Sequence, residues 1–441
     1  MESAAKPFEV SNRAVLAIAL PTTLAYLSTP IIGLVDTGVV GRMGDAALLG
    51  GLAVGAVLFD IVFTTFNFLR SSTTGLVAQA FGRGDEADQQ VVLYRSLLLS
   101  WTLGFLTLLA APLILWLGLY FMDVTDAVES AVREYFTVRI LAAPLTLTNY
   151  TVLGWMLGQG RAGLGLVLQT VLNGSNVVLS LYLGLYLGWG IAGVAWATVM
   201  AEGLAAVLGL LCVAFAYGRR AFSGLAVLGD RAALTRLFGV NRDIMIRSFC
   251  LLFAFAFFTA QGADFGETTL AANAVLMNFF LVSGYFLDGF ATAAEQLAGR
   301  AIGARYRPAF DRAVRLTLIW GFALAGFATA VFFLGGPTLI DTLTTHEDVR
   351  AVARTFLPYA ALTALVGVVA FQMDGIYIGA TWSRDMRNMM LVSLAAFLAT
   401  YYGATPFVGN HGLWLALLVF LGIRGVTLYG RLPTKVRETF S

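Results

Sequence analysis

Residues 14–40 read AVLAIALPTTLAYLSTPIIGLVDTGVV, with Asp36 as the single charged side chain in the run. About 20 consecutive apolar residues are enough for a helix to cross the hydrocarbon core of a bilayer. A carboxylate held there has no water shell, so it needs either a partner or a role. Similar runs recur along the chain, at 46–80, 91–121, 131–158, 162–188, 191–217, 240–262, 267–300, 311–335, 350–380, 385–404 and 410–430. Twelve membrane-spanning helices are expected.

Bulk composition agrees. Of the 441 residues, 59% are hydrophobic and 12% are charged, with 47 glycines and a mean hydropathy of +0.80. Soluble domains carry about twice that charged fraction. A net charge of +2, with basic residues scattered along the chain, excludes a nucleic-acid partner of the usual kind. Cys212 and Cys250 lie in apolar runs, and His346 and His411 are far apart, so neither a disulfide framework nor a metal site is expected. No cleaved signal peptide is expected, because no small-residue cleavage site follows the first apolar run.

Charge asymmetry sets the topology. With both termini in the cytoplasm, inside segments hold 22 of the 28 basic residues, and Arg70 is the one basic residue placed well within a span. Excess Lys and Arg mark cytoplasmic loops. A basic connection at 218–239 divides the chain into an N-lobe, 1–217, and a C-lobe, 240–441. An internal repeat supports the division. GDAALLGGLAV (44–54) resembles GETTLAANAVL (266–276), AQAFG (78–82) resembles GRAIG (299–303), LGWMLGQGR (153–161) resembles DGIYIGATW (374–382), and WGIAGVAWA (189–197) resembles GNHGLWLAL (409–417). Six spans per repeat give both lobes the same orientation, a known transporter layout.

Polar residues at helical spacing mark candidate sites. Asp60, Thr64, Asn67, Ser71 and Thr74 step along one face of span two, Gln169, Asn173, Asn176 and Ser180 along span five, and Asp288, Thr292, Glu295 and Gly299 along span eight. Thr198 and Glu202 are four apart in span six. Such stripes either glue helices together or line a wet cavity. Asp36 is the sharpest position. Its apolar neighbours disfavour the charged form, which makes it a candidate reversible proton carrier, and Pro21 and Pro30 allow its helix to bend. By depth, Ser180, Asn176, Thr198 and Asn149 are its candidate partners. Asp374, Glu295, Asp288, Glu202, Asn67, Met277 and Tyr377 are candidates for substrate contact or gating; an ion pair with an inner arginine is an equal alternative for Asp374. Asp45 and Glu267 open helices, where capping is expected.

LVDTGVVGRMGD (34–45), LVAQAFGRGD (76–85), IAGVAWATVMAE (191–202) and DGIYIGATWSRDMRN (374–388) together resemble the multidrug and toxic compound extrusion (MATE) family, most closely its DinF-like branch. The resemblance covers about 12–430. It implies an all-α membrane protein of twelve helices in two parallel six-helix lobes, V-shaped around a central cavity. It implies export of cationic or amphiphilic drug-like compounds by alternating access. Asp36 matches the coupling aspartate, Asn176 and Thr198 its polar partners, and Asn149 a further one in span four. One departure stands out: the family's NxxLD pattern in span five reads NVVLS here, with Ser180 at the acid's place. One carboxylate with neutral oxygens favours protons over sodium as the coupling ion. The alternatives are a sodium-coupled antiporter and a flippase for lipid-linked precursors. No cofactor is expected, and the chain is expected to act as a monomer in a bacterial inner membrane. No nucleophile, base or metal constellation suggests an enzyme.

Overall fold

The computed structural model describes residues 6–122, 124–218 and 229–441. Positions 219–228 of the expected basic connection, Arg219 and Arg220 among them, lie outside the described residues.

Twelve helices among the described residues are long and apolar enough to cross a membrane. In chain order, spans one to six are Asn12–Gly41, Ala46–Arg83, Glu86–Leu109, Asp126–Gly158, Ala162–Tyr186 and Gly190–Tyr217. Spans seven to twelve are Arg231–Ala263, Glu267–Gly303, Arg307–Leu343, Glu347–Gly379, Ser383–Val408 and Asn410–Phe440. Large apolar side chains such as Phe215, Leu334 and Phe407 stand exposed on their outer faces. In water this surface would be a liability; against acyl chains it is the lipid-facing coat. The chain is thus an all-α multi-pass membrane protein.

Several expected spans differ in detail. The third, expected over 91–121, is two helices, because the ladder breaks at Ala110 and resumes as Ala111–Met122. Span two breaks at Phe66–Asn67 between Ala46–Thr65 and Phe68–Arg83, so the stripe Asp60–Thr64–Asn67–Ser71–Thr74 does not run along one continuous face. Span four passes through a 3-10 turn, Ile140–Ala142, just before Pro144. Span five ends in a π-helical segment, Ser180–Tyr186. Span one, by contrast, runs as unbroken helix through Pro21 and Pro30. Asp45 caps span two, accepting from the Ala47 amide at 2.8 Å; Glu267 sits in the first turn of span eight, behind a Gly266 cap.

The chain forms two compact units. One comprises Leu24–Val77 and Asp85–Arg236. In it Gly154 and Gly158 of span four lie against the backbone of span two at Arg70 and Thr74, with no room for a Cβ. Trp155, Met156, Leu93 and Val77 fill the space beside them. The other unit comprises Met1–Thr23, Ala78–Gly84 and Leu237–Ser441. Its seam joins spans eight and ten. Gly375 and Gly379, four residues apart on one face, press against the carbonyls of Ala291 and Glu295. Lipid supplies no hydrophobic drive between helices, so close backbone approach through small residues takes its place. An aromatic core of Phe258, Phe397, Trp414 and Phe420 packs alongside. Within it, Asn273 and Asn410 exchange amide hydrogen bonds at 2.9 and 3.0 Å, and the Trp414 indole donates to Asn273 Oδ1 at 2.9 Å. A buried amide pair is tolerated there because its partners are supplied.

Candidate functional site

In the unit built on spans one to six, Asp36 is 7% exposed. Its Oδ1 accepts the Ser180 hydroxyl at 2.8 Å. Ser180 begins the π-helical segment of span five, where each extra residue per turn re-aims the side chains. Such segments recur at functional positions. One turn earlier, Asn176 donates from Nδ2 to Thr198 Oγ1 at 2.9 Å, and Thr198 donates to the Val194 carbonyl at 3.2 Å. Four of the expected residues therefore sit as two bonded pairs on successive turns of span five. Asn176 Oδ1 is buried and accepts no hydrogen bond among the described residues. Asp36 itself has no ion-pair partner among them.

Asn149 does not join Asp36. Its amide donates to Glu202 instead, at 2.6 Å to Oε2 and 3.0 Å to the backbone carbonyl. Glu202, a candidate for substrate contact, is thus a buried acid already served by an amide. Asn67 lies in the turn that interrupts span two, and its Oδ1 accepts from Arg70 Nε at 3.3 Å. Deeper in span five, Gln169, Asn173 and Ser28 of span one form a hydrogen-bonded chain.

Arg139 is not among the site candidates drawn from the sequence, although the expected span 131–158 encloses it. Its guanidinium lies over the rings of Phe59 and Phe63, at 5.2 and 5.1 Å from their centroids. It acts electrostatically on Asp36, Asp60 and Glu202 together.

The other unit treats its acids differently. Asp374 is clamped by two arginines: Arg247 donates to Oδ2 from Nε at 3.0 Å, and Arg424 to Oδ1 from Nε at 3.3 Å, each with a second, tighter contact through Nη2. Side-chain exposure is 5% for Asp374, 16% for Arg247 and 3% for Arg424. Arg424 also lies over the Phe371 ring at 5.7 Å. Asp243 is held in the same manner by Arg387 at 2.7 Å and by Ser383 at 3.2 Å. The expectation that Arg70 is the one basic residue well within a span is therefore corrected. Arg139, Arg247 and Arg424 all lie within span helices, and the expected spans 131–158, 240–262 and 410–430 already enclosed them. Glu295 is buried in span eight, while Asp288, on the same helix, is exposed. Tyr377 is fully buried and donates to the Leu428 carbonyl at 2.8 Å, and Met277 packs on the aromatic core.

Chemically, the side chains of this cluster offer one carboxylate, two hydroxyls and an amide. Among the described residues no three His, Cys, Asp or Glu side chains gather as metal ligands.

Comparison with known proteins bears on the family. The chain is 38% identical over 419 residues to DNA damage-inducible protein F of Escherichia coli K12, covering 95% of this chain and 91% of that protein. It is 28% identical over 449 residues to a probable multidrug resistance protein NorM of Deinococcus radiodurans, covering 96% of each. Among solved structures, a MATE protein in the bent conformation superposes with a TM-score of 0.86 at 19% identity, covering 97% of this chain and 96% of that one. A Pyrococcus furiosus transporter of the MOP superfamily, described as having a binding pocket of reverse polarity, gives 0.86 at 17% identity, covering 98% and 97%. The family model described as MatE matches residues 21–182 and 244–402, so each half of the chain carries one copy of it. With that match across both halves and the 38% identity over almost the whole length, this chain belongs to the MatE family of multi-pass membrane transporters, in its DinF-like branch.

Proposed function

We propose that this transporter is a proton-coupled antiporter that exports cationic or amphiphilic organic compounds by alternating access. The observation that carries the proposal is the contrast between its buried acids. Asp374 and Asp243 are locked to arginines, whereas Asp36 accepts a single serine hydroxyl. An acid tied to arginine must break a salt bridge to take up a proton; one bonded to a hydroxyl need not. Asp36 is then the proton carrier. Ser180 orients it, and Asn176 and Thr198 form the polar wall beside it. Antiport requires that proton and substrate favour different states of the protein, since a ligand shifts an equilibrium only by its differential affinity. The coupling ion is H+, with Na+ as the alternative. The protein works as a monomer in the bacterial inner membrane, with both termini in the cytoplasm and no cofactor.

A second possibility, translocation of an anionic lipid-linked precursor, gains from Arg139, Arg247 and Arg424 lying within spans. The latter two are, however, already engaged by Asp374. Proteoliposomes separate the cases. Ethidium uptake is measured under an imposed proton gradient and an imposed sodium gradient, with wild type beside Asp36→Asn. Proton-driven uptake that Asp36→Asn abolishes is the expected result. Sodium-driven uptake would shift the coupling ion, and uptake under neither gradient would move the flippase to the front.

A further inference from the structure

We propose that Arg139 is a resident cation that holds the substrate's place in the unit built on spans one to six, and that its displacement by an organic cation drives the proton off Asp36. The inference rests on Asp36 being the coupling acid and adds the residue through which substrate reaches it.

The aromatic faces that an organic cation would use are already occupied by a cation of the protein's own. Phe59 and Phe63 stack at 5.7 Å, Phe59 and Phe136 at 5.0 Å, and Tyr135 meets Phe59 edge-on at 5.9 Å. Arg139 lies over two of these rings. A guanidinium and a planar organic cation are attracted to a ring face by the same quadrupole. The carboxylate next in chain to that surface is Asp60, which is exposed. The guanidinium is also incompletely satisfied, because Nη1 is buried and makes no hydrogen bond among the described residues. A buried donor left unmade is costly, so this position is held by charge, by the rings and by a hydrogen bond with Tyr135, and a better partner can draw the group away.

That partner is within electrostatic reach. The titratable groups on which the charge of Arg139 acts are Asp36 on span one, Asp60 on span two, Tyr135 and Tyr150 on span four and Glu202 on span six. Of the two buried acids, Glu202 is occupied by Asn149, and Asp36 by a single hydroxyl. When an organic cation takes the Phe59–Phe63 face, the guanidinium moves toward Asp36. The Asp36 O–H bond breaks, and its proton leaves to water on whichever side is then open. Arg139 keeps its charge throughout. One positive charge enters the unit and one leaves, so the exchange is balanced without a co-reactant.

The test uses the full chain, purified, with ethidium as the probe. Binding is read by fluorescence polarisation, and proton release by a pH dye in weakly buffered solution. Arg139→Gln is expected to bind ethidium about tenfold more tightly, because the competitor is gone, while releasing few or no protons on binding. Arg139→Lys, which keeps a cation, is expected to keep most of the release. Phe63→Leu removes one ring face and is expected to weaken ethidium severalfold, which gives a readout even where Arg139→Gln folds poorly. Wild-type ethidium affinity and proton release in Arg139→Gln would overturn the inference, as would unchanged affinity in Phe63→Leu. Asp36→Asn separates this from the coupling-acid assignment: persisting proton release there would sink that assignment, whereas the affinity change in Arg139→Gln is read independently of it.

Discussion

Replacing Asp374 by asparagine should destabilise the protein more than replacing either of its arginines. Asp374 is the single carboxylate bonded to both Arg247 and Arg424, and its side chain and that of Arg424 are 5% and 3% exposed. Removing one arginine leaves the acid with the other. Removing the acid leaves two guanidinium groups beside each other in a low-dielectric interior. Breaking a buried pair from one side costs about 3–5 kcal/mol, against a total folding stability of about 5–15 kcal/mol. For the compact unit of about 235 residues that holds Asp374, this corresponds to a fall in Tm on the order of 10 °C. The double variant Asp374→Asn with Arg424→Met removes one charge of each sign and should recover much of the loss. Thermal unfolding in matched detergent, followed by tryptophan fluorescence at one heating rate, ranks the variants. Asp374→Asn with wild-type Tm but no ethidium transport would refute the reasoning, because the acid would then be serving substrate rather than holding helices.

Ser180→Asp places a second carboxylate beside Asp36, as in the family's usual pattern, and should create sodium-stimulated uptake in proteoliposomes that wild type lacks; no response to sodium would mean that Ser180 is not what limits the coupling ion. Gly379→Leu drives a side chain into the backbone of span eight and should cost at least the 1–3 kcal/mol or so typical of overpacking, seen as loss of monodisperse protein on size exclusion, whereas Gly326→Ala, with open space around its Cα, should behave as wild type. Asn273→Leu strands the Asn410 amide and the Trp414 indole and should lower stability by about 1–3 kcal/mol, and adding Asn410→Leu should restore part of it; equal Tm in single and double variants would show that the pair is not coupled.

Much of the architecture was legible because a bilayer demands long apolar runs. Twelve such runs, the charge asymmetry and the repeat left little room for another fold. Interruptions within spans were not legible. Nothing in FTTFNFLRSS separates a continuous helix from one that turns at Phe66–Asn67, since apolar periodicity survives the break. The bonding of Asp36 to Ser180 followed from depth along two helices, which spacing encodes. The choice of Asn149 for Glu202 over Asp36 depends on helix rotation, which spacing does not encode. Arg139, Arg247 and Arg424 fall inside the expected spans 131–158, 240–262 and 410–430, but spacing does not separate an arginine held against a ring or a buried acid from one at a helix end that reaches the headgroups.

The helix interruptions have a mechanical consequence. The break at Phe66–Asn67, the break at Ala110, the 3-10 turn at Ile140–Ala142 and the π segment at Ser180–Tyr186 all fall in the first half of the chain. Span eight, 37 residues without interruption or internal proline, is a rod of about 55 Å, whereas span nine carries Pro337 and span ten Pro358. A rod resists bending along its whole length, whereas a helix with a gap in its hydrogen-bond ladder yields at the gap. The first half thus has points of compliance near Asp36 and Arg139, while span eight, against which Gly375 and Gly379 press, stays stiff. The proposed exchange of cations at Asp36 and Arg139 is therefore expected to bend the interrupted helices rather than span eight.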